Sequence, residues 1–597
     1  MTSSPITEII SRTSTDNLSS VVAALNAIKK QQPAFKHSVK VFVLRNYTIE
    51  GIDPYLQFHL YKNEINVEVK YGDYGVVSQY LLDPDSALYD FKPDIILLSL
   101  HLENFAAENN LPGWDGTDTQ ERMISLLELL KQKTSALVVL NNFLLPFYST
   151  TGITNSAALP NRAETISHVN LALNKFSREN ASRFFVVDWN MIMMRLGSER
   201  SIDERYWYLS KAPFKKEFLN AFATEFSKII TALKGLNKKC LILDCDNTLW
   251  GGIIGEDGLE GIKLDNDSYP GKVYYDFQKS VINLYNRGVI IALCSKNNPE
   301  DVFEVLEKHP HSLIKKEHLA TTRINWNNKA ANIDELVKDL NIGFDSVVFV
   351  DDSDMECDLV KKALPDVTVM QVPVKDLFAY TNMLMKDGLF DTLTFSDEDR
   401  SRTKMYQSET LRKESLSSFD NLDEYLHSLG IVVDINEVQS SSAPRVAQLT
   451  QKTNQFNLTT RRYSEADIHQ FIADDDKLIY SLNIKDKYGD MGLTAVLILA
   501  RQNDIGIVDS LLLSCRILGR NIEIAFVQYC LAAATQKWNI KTWEAEYIAT
   551  KKNVQTANFM EKFGFHVTDE NPAGKSYRCL ANELVVKDLT YIQINNG

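Results

Sequence analysis

Leu241-Ile242-Leu243-Asp244-Cys245-Asp246-Asn247-Thr248-Leu249-Trp250-Gly251-Gly252 decides the fold. Its opening aliphatic run reads as a strand buried on both faces, the kind found in parallel sheets covered by helices. The run ends directly in two carboxylates separated by one residue. Side chains alternate along a strand, so Asp244 and Asp246 are expected on one side of the carboxyl edge, where open α/β sheets bind ligands. There one carboxylate can attack a phosphoryl group to give an aspartyl phosphate. A second, two residues on, can protonate the leaving oxygen and later activate water.

An enzyme carboxylate and a phosphate repel each other, so the chemistry calls for a divalent cation held by oxygen ligands. Residues 347–350 form another apolar run, which leads into Asp351 and Asp352. Asp244, Asp246, Asp351 and Asp352 are therefore the expected metal set, and Mg²⁺ is the hard-cation choice. The intervening run, residues 289–293, leads through Cys294 into Ser295, Lys296 and Asn297. The Ser295 hydroxyl and Asn297 amide can bond phosphate oxygens, and Lys329, opening the next helical stretch, adds a compact positive charge. Taken singly, each piece is an ordinary turn, cap or surface charge; their convergence on one sheet edge points to a phosphoryl-handling site. Only about two dozen residues separate Asp246 from the helix expected near Lys272, and about thirty separate Ser295 from Lys329, too few for a folded cap domain. The first gap, rich in glycine, reads as a short hairpin flap over an open mouth.

The chain has 597 residues, which at roughly 100–200 residues per domain argues for several domains. Apolar strand-like runs alternating with helical stretches between residues 39 and 236 predict a parallel α/β domain over 1–236. The phosphoryl-handling unit follows at 237–395, and a polar, partly helical linker at 396–429. At 430–597 strand-like runs outnumber helices, predicting an α+β domain. Lys plus Arg number 64 against 78 Asp plus Glu, a net charge of −14, which disfavours nucleic acid as a partner. Seven cysteines without C-x-x-C spacing suit a reducing compartment, and no apolar run is long enough to span a membrane, so a cytoplasmic protein is expected.

The order Asp-x-Asp-x-Thr, strand-end Ser, Lys, Asp-Asp resembles the haloacid-dehalogenase (HAD) superfamily. Residues 244–258, Asp-Cys-Asp-Asn-Thr-Leu-Trp-Gly-Gly-Ile-Ile-Gly-Glu-Asp-Gly, are similar to its FkbH-like branch. That resemblance implies a capless Rossmann-like fold with Asp244 as nucleophile and metal ligand and Asp246 as acid/base. It further implies Thr248 and Ser295 as phosphate contacts, Lys329 as charge neutraliser, and Asp351, supported by Asp352, as metal ligand. Asp354 departs from the family's usual Pro. The resemblance also implies an activity: a glyceryl group passes from 1,3-bisphosphoglycerate, a phosphorylated three-carbon acid, through an enzyme cysteine to the phosphopantetheine thiol of an acyl carrier protein, with dephosphorylation, for polyketide-type biosynthesis.

In the C-terminal domain, an apolar run enters Cys515-Arg516-Ile517-Leu518-Gly519-Arg520-Asn521 and then a helix, and Asn558 opens a second segment ending Phe563-Gly564-Phe565. The pair resembles the GNAT acetyltransferases, although Asn521 stands where they carry Gly or Ala. Arg516, Gly519, Arg520 and Asn558 are the expected pantetheine contacts, since a helix start can hold phosphate. Cys515 is the favoured thioester carrier, because Arg516 and the helix start can lower its pKa. Residues 453–463, with Arg461 and Arg462, and residues 486–492 look like further FkbH-type signatures. The N-terminal domain resembles esterase-like SGNH folds in strand order but lacks their nucleophilic serine and Asp-x-x-His: Asn46-Tyr47-Thr48 and Asp203-Glu204-Arg205-Tyr206 stand there instead. It is expected to be catalytically silent, with His101 a structural residue. Two rival readings stand beside glyceryl transfer: a plain Mg²⁺-dependent HAD phosphatase, and a non-enzymatic assembly factor that binds a carrier protein.

Overall fold

The computed structural model describes every residue except 1–4, 112, 150–151, 153–160, 395–401, 417–418, 420, 454, 515–516 and 597. The chain divides into two units, Met1–Leu236 and Asn237–Gly597. No helix among the described residues is long and apolar enough to cross a membrane.

The first unit is built on five parallel strands: β1 (His37–Arg45), β2 (Ile65–Tyr71), β3 (Ile95–Ser99), β4 (Leu137–Asn141) and β5 (Phe184–Val187). Their order is β2-β1-β3-β4-β5. Every residue of β3 and β4 is buried, which is why these strands read as unbroken apolar runs rather than alternating ones. Asp188 caps the helix Trp189–Leu196, and Asn161 with Glu164 forms a capping box for Arg162–Glu179.

The second unit opens with another parallel sheet: β6 (Cys240–Leu243), β7 (Ile290–Ser295), β8 (Leu319–Ile324), β9 (Val347–Asp351) and β10 (Thr368–Gln371), in the order β10-β9-β6-β7-β8. The sequence reading places β6, β7 and β9 and passes over β8 and β10. Both are edge strands with polar residues facing out, so neither carries the apolar run by which a central strand is recognised. The expected hairpin flap is corrected in part. An antiparallel bridge between Gly251 and Lys263 closes its base, but its tip is the short helix Ile254–Gly261. Carboxylates explain the change: Asp246 accepts the Ile254 N–H and Asp257 the Ile253 N–H, satisfying the first turn of a helix.

A nine-stranded sheet completes the unit: β11 (Ile431–Glu437), β12 (Phe456–Asn457), β13 (Lys477–Asp486), β14 (Gly489–Gln502), β15 (Ile505–Leu513), β16 (Thr542–Ile548), β17 (His566–Asn571), β18 (Gly574–Leu580) and β19 (Ile592–Asn596). The helix Ile522–Trp538 packs on β13 and β14. Between the sheets, the helix Arg402–Leu416 is a packed element rather than a spacer. Its Tyr406 is buried with Ile290, Ala292 and Ala320 of the first sheet, and its Arg412 makes a two-pronged ion pair with Asp486 of β13, 2.7 Å at each contact.

Candidate active site

In the parallel sheet of the second unit the strand order reverses between β6 and β9, and at this switch point the chain places its acidic residues. Asp244 follows β6 directly, its backbone N–H held by Val350 of β9 at 3.0 Å. Asp351 closes β9 and is fully buried. Carboxylate oxygens of Asp244, Asp351 and Asp352 come within 4.8 Å of one another, the spacing a small cation spans. The Asp246 carboxylate is not part of this group, which corrects its expected place as a side-chain metal ligand. Strand alternation does not reach it: β6 ends at Leu243, and a left-handed turn at Asn247 redirects the chain. Its oxygens go elsewhere, Oδ1 to the Trp250 indole N–H (2.9 Å) and the Ile254 N–H (3.1 Å), Oδ2 to the Asn297 amide (3.0 Å).

Lys329, first residue of the helix Lys329–Asp339, lies buried between two of the acids, Nζ 2.8 Å from Asp244 Oδ1 and 2.6 Å from Asp351 Oδ2. Ser295 Oγ donates to the same Asp244 Oδ1 at 2.8 Å, and Asn297 Nδ2 donates to Ser295 Oγ at 3.1 Å. Oδ1 thus carries both contacts, while Asp244 Oδ2 takes no hydrogen bond from the described residues. Thr248 Oγ1 is sealed from solvent with no partner, an arrangement that costs about 1–3 kcal/mol unless a ligand oxygen meets it.

One cation against three carboxylates leaves the cluster overcharged in a poorly hydrated place. Asp352 is accordingly pushed up to about 6, first by burial and then by Asp244 and Asp351. Burial and Asp244 likewise raise Asp351, while the two carboxylates outweigh burial at Lys329 and raise it further. A divalent cation is the group whose charge and oxygen preference relieve this excess. Lys296, turned the other way, pairs with buried Glu356 at 2.6 Å, a contact with no counterpart in the sequence reading because its partner lies sixty residues on.

Cys245 and Cys294 are fully buried, Cys294 donating to the Lys329 carbonyl, and burial pushes Cys294 up to about 12. Cys515 and Arg516 lie outside the described residues. Arg520 does not present itself to a pantetheine arm: it is buried, with Glu409 at 3.2 Å and Asp486 at 3.4 Å, in a four-charge cluster completed by Arg412. Gly519 does take the left-handed turn before the helix, and exposed Asn558 accepts from Lys575 at 2.9 Å. Arg461 is paired with Asp509 and Glu546, and Arg462 donates to backbone carbonyls of Thr450 and Gln451, so both serve the fold.

Residues 239–367 match the family of NLI interacting factor-like phosphatases. The chain matches no curated protein sequence. Among solved structures, it is similar to the N-terminal part of the protein BF1531 from Bacteroides fragilis, described as containing a phosphatase domain complexed with Mg: 29% identity over 60% of this chain and 95% of that one, TM-score 0.55. Weaker likenesses are to the ribosomal-protein-S18-alanine N-acetyltransferase from Escherichia coli (11% identity, 26% and 97% of the two chains, TM-score 0.20) and to the PaiA N-acetyltransferase from Thermoplasma acidophilum in complex with coenzyme A (14%, 25% and 98%, TM-score 0.20). Residues 239–367, which carry the acidic switch point, are a HAD-type phosphatase domain of the NLI interacting factor-like kind.

Proposed function

We propose that the chain is a Mg²⁺-dependent phosphoryl-transfer enzyme with Asp244 as nucleophile. The observation that carries this reading is an Asp244 Oδ2 and a Thr248 hydroxyl, both without a hydrogen-bond partner among the described residues, beside a buried Lys329 bridge. Asp244, Asp351 and Asp352 would hold the ion, which supplies positive charge to the phosphoryl oxygens and lets an anionic nucleophile approach them. Asp244 Oδ2 attacks phosphorus, the bond to the leaving oxygen breaks, and Asp246 delivers its proton to that oxygen. Asp246 then takes a proton from water, whose oxygen attacks phosphorus and releases inorganic phosphate with Asp244 restored. Asn297 and the flap N–H of Ile254 keep Asp246 facing this path. Thr248, Ser295 and Asn297 contact the phosphoryl oxygens, and Lys329 balances their charge.

The finer reading is glyceryl transfer from 1,3-bisphosphoglycerate to the phosphopantetheine thiol of an acyl carrier protein, with Cys515 as carrier. It is supported by the resemblance of residues 244–258 to FkbH-like proteins and by an uncapped mouth. The plain phosphatase reading is favoured by the occupation of Arg520 in an internal ion cluster. Mass spectrometry of the intact proteins, after incubation with 1,3-bisphosphoglycerate, Mg²⁺ and a holo carrier protein, tests both. A glyceryl mass on the carrier supports transfer, and phosphate release alone supports the phosphatase. Undiminished phosphate release by Asp244→Asn refutes the assignment of the nucleophile, and a wild-type chain that yields neither phosphate nor a glyceryl mass favours the assembly-factor reading.

A further inference from the structure

The N-terminal unit has its own switch point, between β1 and β3, and the side chains there are not all accounted for by the fold. Asn46, just past β1, clasps the backbone of His101 just past β3: Asn46 Oδ1 accepts the His101 N–H at 2.7 Å and Nδ2 donates to the His101 carbonyl at 3.1 Å. Asn104 in turn donates to the Asn46 carbonyl at 2.7 Å. His101 is thereby fixed in place, with its ring 4.4 Å from that of Trp207. Its imidazole finds no partner among the described residues. Nδ1 is sealed from solvent, so Nε2 is the nitrogen that faces out.

Two cations accompany it. Arg162 bonds Asn109 through Nη2, but its Nε is buried without a partner among the described residues, and Glu103 acts on it without forming an ion pair among them. Exposed Lys211 lies over the Trp207 ring, 4.3 Å from its centre, and forms no ion pair among the described residues. Burial, then Lys211 and Arg162, hold His101 down at about 4, so the ring is neutral at pH 7. With Nδ1 sealed and bare, the proton sits on Nε2, which makes the outward nitrogen a donor. Buried polar atoms are nearly always satisfied, and the Arg162 Nε–H and the outward His101 Nε2–H, both without a partner among the described residues, beside a lysine that forms no ion pair among them, mark a place for a ligand that accepts hydrogen bonds.

We propose that this edge of the N-terminal unit binds a small anion, a carboxylate or phosphate group, held by Arg162 and Lys211 and oriented by the Nε2–H of His101 beside the Trp207 ring. The site binds without reacting. The hydroxyls at this edge, Tyr47 and Ser99, are fully buried and bonded to each other at 2.8 Å, so neither reaches a bound group.

The test uses the full chain with its ten histidines isotopically labelled, and the His101 resonance is assigned by its loss in His101→Asn. Inorganic phosphate and malonate are titrated separately at pH 7 and constant ionic strength; because His101 is neutral there, a shift reports contact rather than protonation. A saturable shift with phosphate alone assigns a phosphate site, with malonate alone a carboxylate site, and with both a general small-anion site. Lys211→Met, which alters an exposed side chain, should weaken binding by about tenfold or more and leave phosphate release by the second unit unchanged. Arg162→Gln should weaken it similarly. A His101 resonance unmoved by either anion, or a shift that persists unweakened in both variants, overturns the proposal.

Discussion

Lys329→Met is the change that most directly interrogates the acidic switch point. The lysine is 5% exposed and stands against two carboxylates that are 7% and 0% exposed, at 2.8 and 2.6 Å. At an effective dielectric constant of about 20, each contact is worth about 6 kcal/mol gross. The variant escapes most of that loss by taking up a proton. Moving one carboxylate from its ordinary value near 3.8 to protonated at pH 7 costs about 4 kcal/mol, which caps the damage near the usual 3–5 kcal/mol for breaking a buried pair. The same arithmetic makes the loss pH-dependent, smaller by about 1.4 kcal/mol for each unit of acidification, so about two-thirds of it is gone at pH 5. Scanning calorimetry of the full chain in chelator should show the transition of the unit Asn237–Gly597 about 4–7 °C lower than wild type at pH 7, with the gap narrowing at pH 5. A shift under about 2 °C at pH 7, or one equal at the two pH values, would refute the picture of Lys329 as the counter-charge of an otherwise repulsive cluster.

Metal binding carries its own pH signature. The folded chain keeps a proton on Asp352 up to about pH 6, whereas the unfolded chain releases it near the ordinary 3.8. Without metal, stability from this group is therefore present below about pH 4 and lost as pH rises through 6. A cation needs the ionised form, so thermal stabilisation by millimolar Mg²⁺ should grow between pH 5 and 7, and equal stabilisation at both would count against Asp352 as a ligand. Thr248→Val removes a hydroxyl that has no partner, so melting should be unchanged or slightly higher while phosphate release falls about tenfold or more; parallel loss of both would make Thr248 structural. Arg412→Met exposes the fully buried Asp486 to an incomplete partner, Arg520 at 3.4 Å, and should cost about 3 kcal/mol in thermal scans; an unchanged melting profile would show that the cluster adds nothing.

The central strands and the order of chemical groups at their ends were legible because buried parallel strands advertise themselves as apolar runs and their last residues face the ligand edge. That logic groups Asp244, Asp351, Asp352 and Ser295, a helix start adds Lys329, and the structure brings the five together. Asp246 shows where it fails: a two-residue alternation rule does not survive a strand that ends at Leu243 and turns left-handed at Asn247. β8 and β10 escaped because edge strands face solvent and trade apolar runs for polar ones. Arg520 was misjudged for another reason. Its partners Glu409 and Asp486 stand 111 and 34 residues away in a helix and a strand, and no local pattern signals an ion pair at such separation.

The two parallel sheets of this chain also separate topology from chemistry. Both offer a switch point, β1 against β3 and β6 against β9, and both put polar residues there. At the second, the strand-end residues are acids whose mutual repulsion is left unbalanced by one lysine, and that imbalance is what favours a cation and, through it, a phosphoryl group. At the first, the corresponding positions are Asn46, whose amide is taken up by the His101 backbone, and Ser99 and Asn141, which bond each other. Amides bonded in this way have neither a proton to give at neutral pH nor a free lone pair to attack with, so the edge is left with the geometry of a binding site and without the means of reaction. What the fold supplies in both cases is a strand-end edge at a switch point; whether it becomes a catalytic centre is decided by which few side chains end the strands and by how much charge they leave uncompensated.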